Sequence, residues 1–169
     1  MLSDGKYYFT QDNKKAFFKF TGTLKYTSSS KFDTFLDNLL GNKPDFEDVL
    51  IDLSEAVFLD STNLGFLARI AEFMSEKYGK KVTIYSPKEE INKLLESVGF
   101  DEVFVLVKNI DKQEKDLTEI SSAKDAERSR SEMMLDAHKA LINVCKKNAD
   151  KFCDVVDLLQ KSVNDEKKA

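Results

Sequence analysis

Apolar residues change spacing along the chain, and each spacing predicts an element. Tyr7-Tyr8-Phe9-Thr10 and Ala16-Phe17-Phe18-Lys19-Phe20 read as two strands. The polar run Gln11–Lys15 between them predicts a hairpin turn, and Gly22 predicts a bend after the second strand. Phe32, Phe35, Leu36, Leu39 and Leu40 then recur every three or four residues, which is one face of a helix. Ser30 is expected to cap that helix, with Asp33 in the capping-box position and Gly41 as its stop. The short apolar run Val49–Leu53 suits a central strand covered on both faces. Leu64, Leu67, Ile70, Ala71, Met74 and Tyr78 form the stripe of a second helix, with Arg69, Glu72 and Glu76 opposite and Gly79 at its end. Val82–Tyr85 predicts another strand. Ser86, Pro87 and Glu89 then predict a helix start, with Ser86 as N-cap. Ile91, Leu94, Leu95 and Val98 face inward on this third helix, Gly99 stops it, and Val103–Leu106 predicts a last strand.

The resulting order is β-β-α-β-α-β-α-β. Strands alternating with single helices imply an α/β fold with a mixed, mostly parallel sheet, crossover helices and one antiparallel hairpin. Sites in such sheets favour the loops beyond strand C-terminal ends. Asp60-Ser61-Thr62-Asn63-Leu64-Gly65 lies beyond such an end and opens the second helix.

The pattern shifts after residue 110. Asp111–Asp116 is a charge run, and 111–130 reads as a charged and polar linker or helix start. Met134, Leu141, Cys145, Phe152, Val155 and Leu159 then fit a heptad stripe, with His138 and Asn148 as polar members. An amphipathic C-terminal helix over 131–163 is expected, as no Pro or Gly interrupts the chain after Ser121. It can dock on its own domain, dimerise the chain or bind a partner.

Charge and composition narrow the chemistry. The net charge is −4, and neither 1–110 nor 111–169 has a basic excess, which leaves no electrostatic footprint for direct nucleic-acid binding. No segment approaches the roughly 18 apolar residues of a membrane span, and Met1–Lys6 lacks the apolar core of a signal peptide, so a cytoplasmic protein is expected. Cys145 and Cys153, eight apart on one helix, are about 12 Å apart and cannot pair within the chain. With one histidine and no CxxC spacing, neither a metal site nor a cofactor is expected. No phosphate-cradling glycine loop and no nucleophile elbow is present. No general base is evident beside Ser61, and His138 would have to come from the distal helix, so no catalytic residues and no enzyme are expected.

Asp60 or Ser61 can serve simply as an N-cap. A cap needs one polar residue, however, and four small polar residues stand here in a row. The run Val49–Leu53 followed by Phe58-Leu59-Asp60-Ser61-Thr62-Asn63-Leu64-Gly65 closely resembles the signature of STAS domains, the anti-sigma-factor antagonist family. The resemblance spans about residues 5–108. It includes Gly22, Lys80-Lys81-Val82 and the helix Ile91–Gly99, and it departs at Asn63, where glycine is common. It implies a STAS-like domain over 1–110 with a C-terminal helical extension. It also implies that Ser61 is a phosphoacceptor, with Thr62 a weaker alternative. The implied partners are a kinase that is also an anti-sigma factor, and a cognate serine phosphatase. The implied function is transcriptional control by partner switching, in which the unphosphorylated chain sequesters the anti-sigma factor. The expected docking surface comprises Asp60, Ser61, Thr62, Asn63, Phe66, Arg69 and Phe73. The alternatives are a STAS scaffold or transporter-associated subunit without phosphorylation and, third, a small α/β enzyme.

Overall fold

A computed structural model describes residues 3–111, 116–121 and 127–168. Parts of the expected linker, 112–115 and 122–126, lie outside the described residues.

The opening hairpin pairs β1 (Lys6–Asp12) with β2 (Lys15–Leu24) antiparallel. β2 alternates buried and half-exposed residues along its whole length, as a strand with one face on the core must. It does not end at Gly22. Gly22 adopts a positive φ of 76°, which places a bulge there, and the strand continues to Leu24. The bulge separates two partners. Before it, β2 pairs in parallel with β3 (Asp48–Asp52); beyond it, with β4 (Ala56–Leu59). β4 was not expected from the sequence. Its buried residues Ala56 and Leu59 flank exposed Val57 and Phe58, so no two-residue period marks it.

β3 pairs with β5 (Thr83–Tyr85) and β5 with β6 (Val105–Val107), all parallel. A two-residue strand, β7 (Thr118–Glu119), adds to β1. Among the described residues the sheet is therefore mixed and mostly parallel, with the order β6-β5-β3-β2-β1-β7 and β4 beside β2.

Four helices belong to this part: α1 (Ser30–Gly41), α2 (Ser61–Tyr78), α3 (Glu89–Ser97) and the single turn α4 (Phe100–Val103). The expected caps of α1 and α3 do not form. Ser29, not Ser30, precedes α1, and its hydroxyl bonds elsewhere; Asp33 turns to arginines. The Ser86 hydroxyl lies buried with no hydrogen-bond partner among the described residues, and α3 begins two residues beyond Pro87. The last expected strand is displaced to 105–107 because Phe100 turns into the core and folds 100–103 as α4.

The expected continuous helix over 131–163 is instead a hairpin of α5 (Arg130–Val144) and α6 (Ala149–Lys168), joined by a 3₁₀ turn at Lys146–Asn148. The break falls on heptad positions. Asn148 donates to the carbonyls of Leu141 (2.8 Å) and Val98 (3.0 Å), ending one helix and tying the turn to the domain. The apolar register resets after it. Val163 is buried and Phe152, Val156 and Leu159 are half-buried, whereas Val155, assigned to the stripe, is exposed. α5 packs along α2.

Candidate functional site

The loop after β4 delivers Asp60 to the start of α2. Asp60 is the N-cap: its Oδ1 accepts from the backbone N–H of Asn63 at 3.0 Å, and its Oδ2 from the N–H of Tyr26 at 2.7 Å. Asn63 is fully buried and points back under the helix. Its amide donates to Ser29 Oγ (3.1 Å) and to Asp60 Oδ1 (2.9 Å), and its carbonyl oxygen accepts from the Tyr7 hydroxyl. Tyr7 and Ser29 also bond each other at 2.9 Å. Burial first, and then the Asp60 charge, raise the Tyr7 phenol far above its ordinary range, so it stays a donor. Asn63 thus anchors a buried network joining β1, the loop before α1 and α2. Thr62 is buried.

Ser61 turns to α5. Its Oγ lies 2.8 Å from Nε2 of His138. The other ring nitrogen, Nδ1, sits 2.6 Å from the carbonyl oxygen of Met134. A carbonyl only accepts, so Nδ1 carries a proton; in the neutral ring Nε2 then accepts and Ser61 donates. Burial lowers the His138 pKa, against the opposing pull of the Met134 carbonyl and the Asp60 charge; this favours the neutral ring. Sequence reasoning placed no base near Ser61. Fold-back of a helix 77 residues away supplies one. The third member of a catalytic triad is replaced by a backbone carbonyl, and the neighbouring carboxylate, Asp60, is occupied as the cap.

The remaining predicted surface residues are largely enclosed. Residues Thr62 to Ala68 are all buried, so the first two turns of α2 are covered on every side. Phe66 packs inward against Phe32, with ring centroids 5.2 Å apart. Phe73 is half-buried beside Phe46. Arg69 bonds Asp33 at 3.0 Å and also pairs with Asp37, both on α1. Gly65 faces α5 so closely that a Cβ there would lie 2.4 Å from the carbonyl oxygen of Ala137.

The family model for the STAS domain matches residues 9–116. The chain belongs to the STAS domain family. Solved structures with the same fold include an anti-sigma factor antagonist from Mycobacterium paratuberculosis, at 19% identity and a TM-score of 0.51. That match covers 63% of this chain and 88% of the other. The anti-sigma factor antagonist SpoIIAA in its unphosphorylated form matches at 10% identity and a TM-score of 0.50, over 64% of this chain and 88% of that one. No curated protein sequence matches the chain significantly. In this STAS protein the α5–α6 hairpin lies entirely beyond the matched residues. Among the described residues no helix is long and apolar enough to cross a membrane, and no group of three or more metal-ligating side chains occurs.

Proposed function

We propose that this STAS protein is a phosphorylation-controlled binding module. Unphosphorylated at Ser61, it sequesters an anti-sigma factor that is also a serine kinase, and so regulates transcription by partner switching in the cytoplasm. The observation that carries this reading is the division of labour at the start of α2. Asp60 caps, Asn63 anchors and Thr62 is buried, which leaves Ser61 as the hydroxyl free of any role inside the domain. In the modification, the γ-phosphoryl group of ATP passes to Ser61 Oγ, ADP leaves, and a base on the kinase accepts the hydroxyl proton. A serine phosphatase reverses it by hydrolysis.

The helix N-terminus tolerates the added charge, because its free N–H groups and dipole favour anions. The phosphate therefore acts on binding. Roughly −1.5 to −2 charges beside Asp60 oppose burial in an interface. A penalty of about 2–4 kcal/mol weakens affinity about 30- to 1,000-fold. The test is a pull-down with wild type, Ser61→Ala and Ser61→Asp, followed by incubation of the captured kinase with ATP and mapping of phosphate by mass spectrometry. The kinase should be held by wild type and Ser61→Ala and released by Ser61→Asp, with phosphate on Ser61. Phosphate found on neither Ser61 nor Thr62 would refute the reading. The engaged state of the Ser61 hydroxyl favours a second reading, a STAS scaffold or transporter-associated subunit whose serine is never modified. An unphosphorylated Ser61 together with membrane-complex partners in the same pull-down would support it.

A further inference from the structure

We propose that the Ser61 face of α2 is a helix-docking surface that the chain's own C-terminal hairpin, α5–α6, occupies in cis, so that the hairpin and any partner reading Ser61 compete for it. The inference rests on the proposed role of Ser61 and adds what controls access to it.

Three contacts define the surface. At its near end the Ser61 hydroxyl is held by His138. In the middle, Gly65 provides the notch in which the Ala137 backbone lies, an approach no larger residue on α2 would permit. Beside them, Arg128 clamps the start of the hairpin to buried Asp33 of α1, with two bonds of 2.8 Å, and pairs with Asp136 of α5. Burial alone would disfavour the Arg128 charge, but the Asp33 and Asp136 carboxylates outweigh it and hold the guanidinium protonated beyond its usual range.

The far end fits less well. A cavity of about 680 Å³ opens there between the last turns of α2 and α5, lined in part by Glu72, Glu76, Lys80, Lys81 and Asn143. Burial raises the Glu72 carboxyl there, against a hydrogen bond from Asn143 of α5, so desolvation of a carboxylate is the cost of closing this end of the joint. Met133, Ala140 and Leu141 of α5 lie in the main core, so the docked state dominates, and the cavity at the far end is where a hairpin that docks and leaves as a unit begins to open.

Occupancy and modification exclude each other. With Oγ 2.8 Å from Nε2, no phosphoryl group fits between Ser61 and His138, and the closed state offers a kinase only a half-buried hydroxyl already engaged by His138. A phosphate on Ser61 would also set anionic oxygens against an accepting nitrogen. Modification therefore favours the undocked hairpin, and by linkage undocking favours modification.

The test uses the full chain and involves no phosphate, so failure of the docking is distinguished from failure of the phosphorylation reading. First, hydrogen–deuterium exchange on the wild-type chain should show 127–168 and the first turns of α2 exchanging together, faster than β2 and β3. Exchange of the hairpin only at the rate of the central strands would overturn the proposal, as would hairpin protection that vanishes on dilution, which would assign the contact to a second copy. Second, the Ser61→Cys chain is labelled with N-ethylmaleimide and read peptide by peptide, to separate the introduced thiol from Cys145 and Cys153. Labelling of the introduced thiol should be at least about tenfold slower than in Ser61→Cys with Ala137→Glu, since the rate scales with the open fraction. Equal rates would sink the idea. Should the double variant fail to fold, the wild-type exchange pattern still decides.

Discussion

His138 is a base in a site where its charged form is unwelcome. Its Nε2 accepts from Ser61, its Nδ1–H faces a carbonyl, the Phe152 ring lies 5.4 Å away, and Asp60 is the charged neighbour acting on it. Because its pKa is lowered in the folded chain, the unfolded state binds the proton more readily. Stability is therefore full above the ordinary histidine value of 6.5 and is lost as pH falls below it towards the lowered value. Thermal melts followed by circular dichroism should show a lower Tm at pH 5.5 than at pH 7.5, and this slope should shrink in His138→Gln. The buried network under α2 makes a second prediction. Tyr7→Phe removes the hydroxyl that donates to Asn63 and bonds Ser29 in a buried site. Leaving buried acceptors unpaired should cost about 1–3 kcal/mol in urea denaturation.

At the scale of elements, the crossing of α2 and α5 turns on Gly65. Alanine at an ordinary helical position gains up to about 1 kcal/mol over glycine. At Gly65 the same change drives a methyl into the Ala137 backbone, where neither helix can yield without moving. Gly65→Ala should therefore destabilise the chain by about 1–3 kcal/mol, the range for overpacking. Gly41→Ala is the control: its new Cβ meets nothing within 4 Å, and the variant should be neutral or slightly more stable. A stabilised Gly65→Ala in urea titrations would mean that the helices are not in contact there.

Across the whole molecule, one buried carboxylate joins three parts of the chain. Asp33 on α1 accepts from Arg69 on α2 and from Arg128 at the root of the hairpin. Its side chain is 1% exposed, while the two arginines keep 15% and 21%, so solvent screens their side of the cluster. Asp33→Ala leaves two cations without their buried partner, sharing only the exposed Asp37. It should cost about 2–4 kcal/mol, slightly under the full cost of breaking a buried pair. Exchange should also increase in 127–168 more than in the central strands. Loss of stability without preferential opening of the hairpin would show that Asp33 supports the domain alone.

Most of the domain was legible along the chain, because its helices carry one-sided apolar stripes and its central strand is an unbroken apolar run. Local patterns of this kind report which residues face a core, and the Asp60–Gly65 turn could be located from them. β4 escaped because its two exposed apolar residues hide any alternation. The α5–α6 break escaped because Asn148 reads as one more polar heptad position until its amide is seen to bond two carbonyls. The neighbours of Ser61 were beyond any local pattern. A hydroxyl and an imidazole 77 residues apart meet only when the hairpin folds back on the domain and Gly65 lets α5 close on α2. Periodicity encodes which face of an element is buried. Which element covers that face depends on non-local packing, and that packing placed His138 over Ser61.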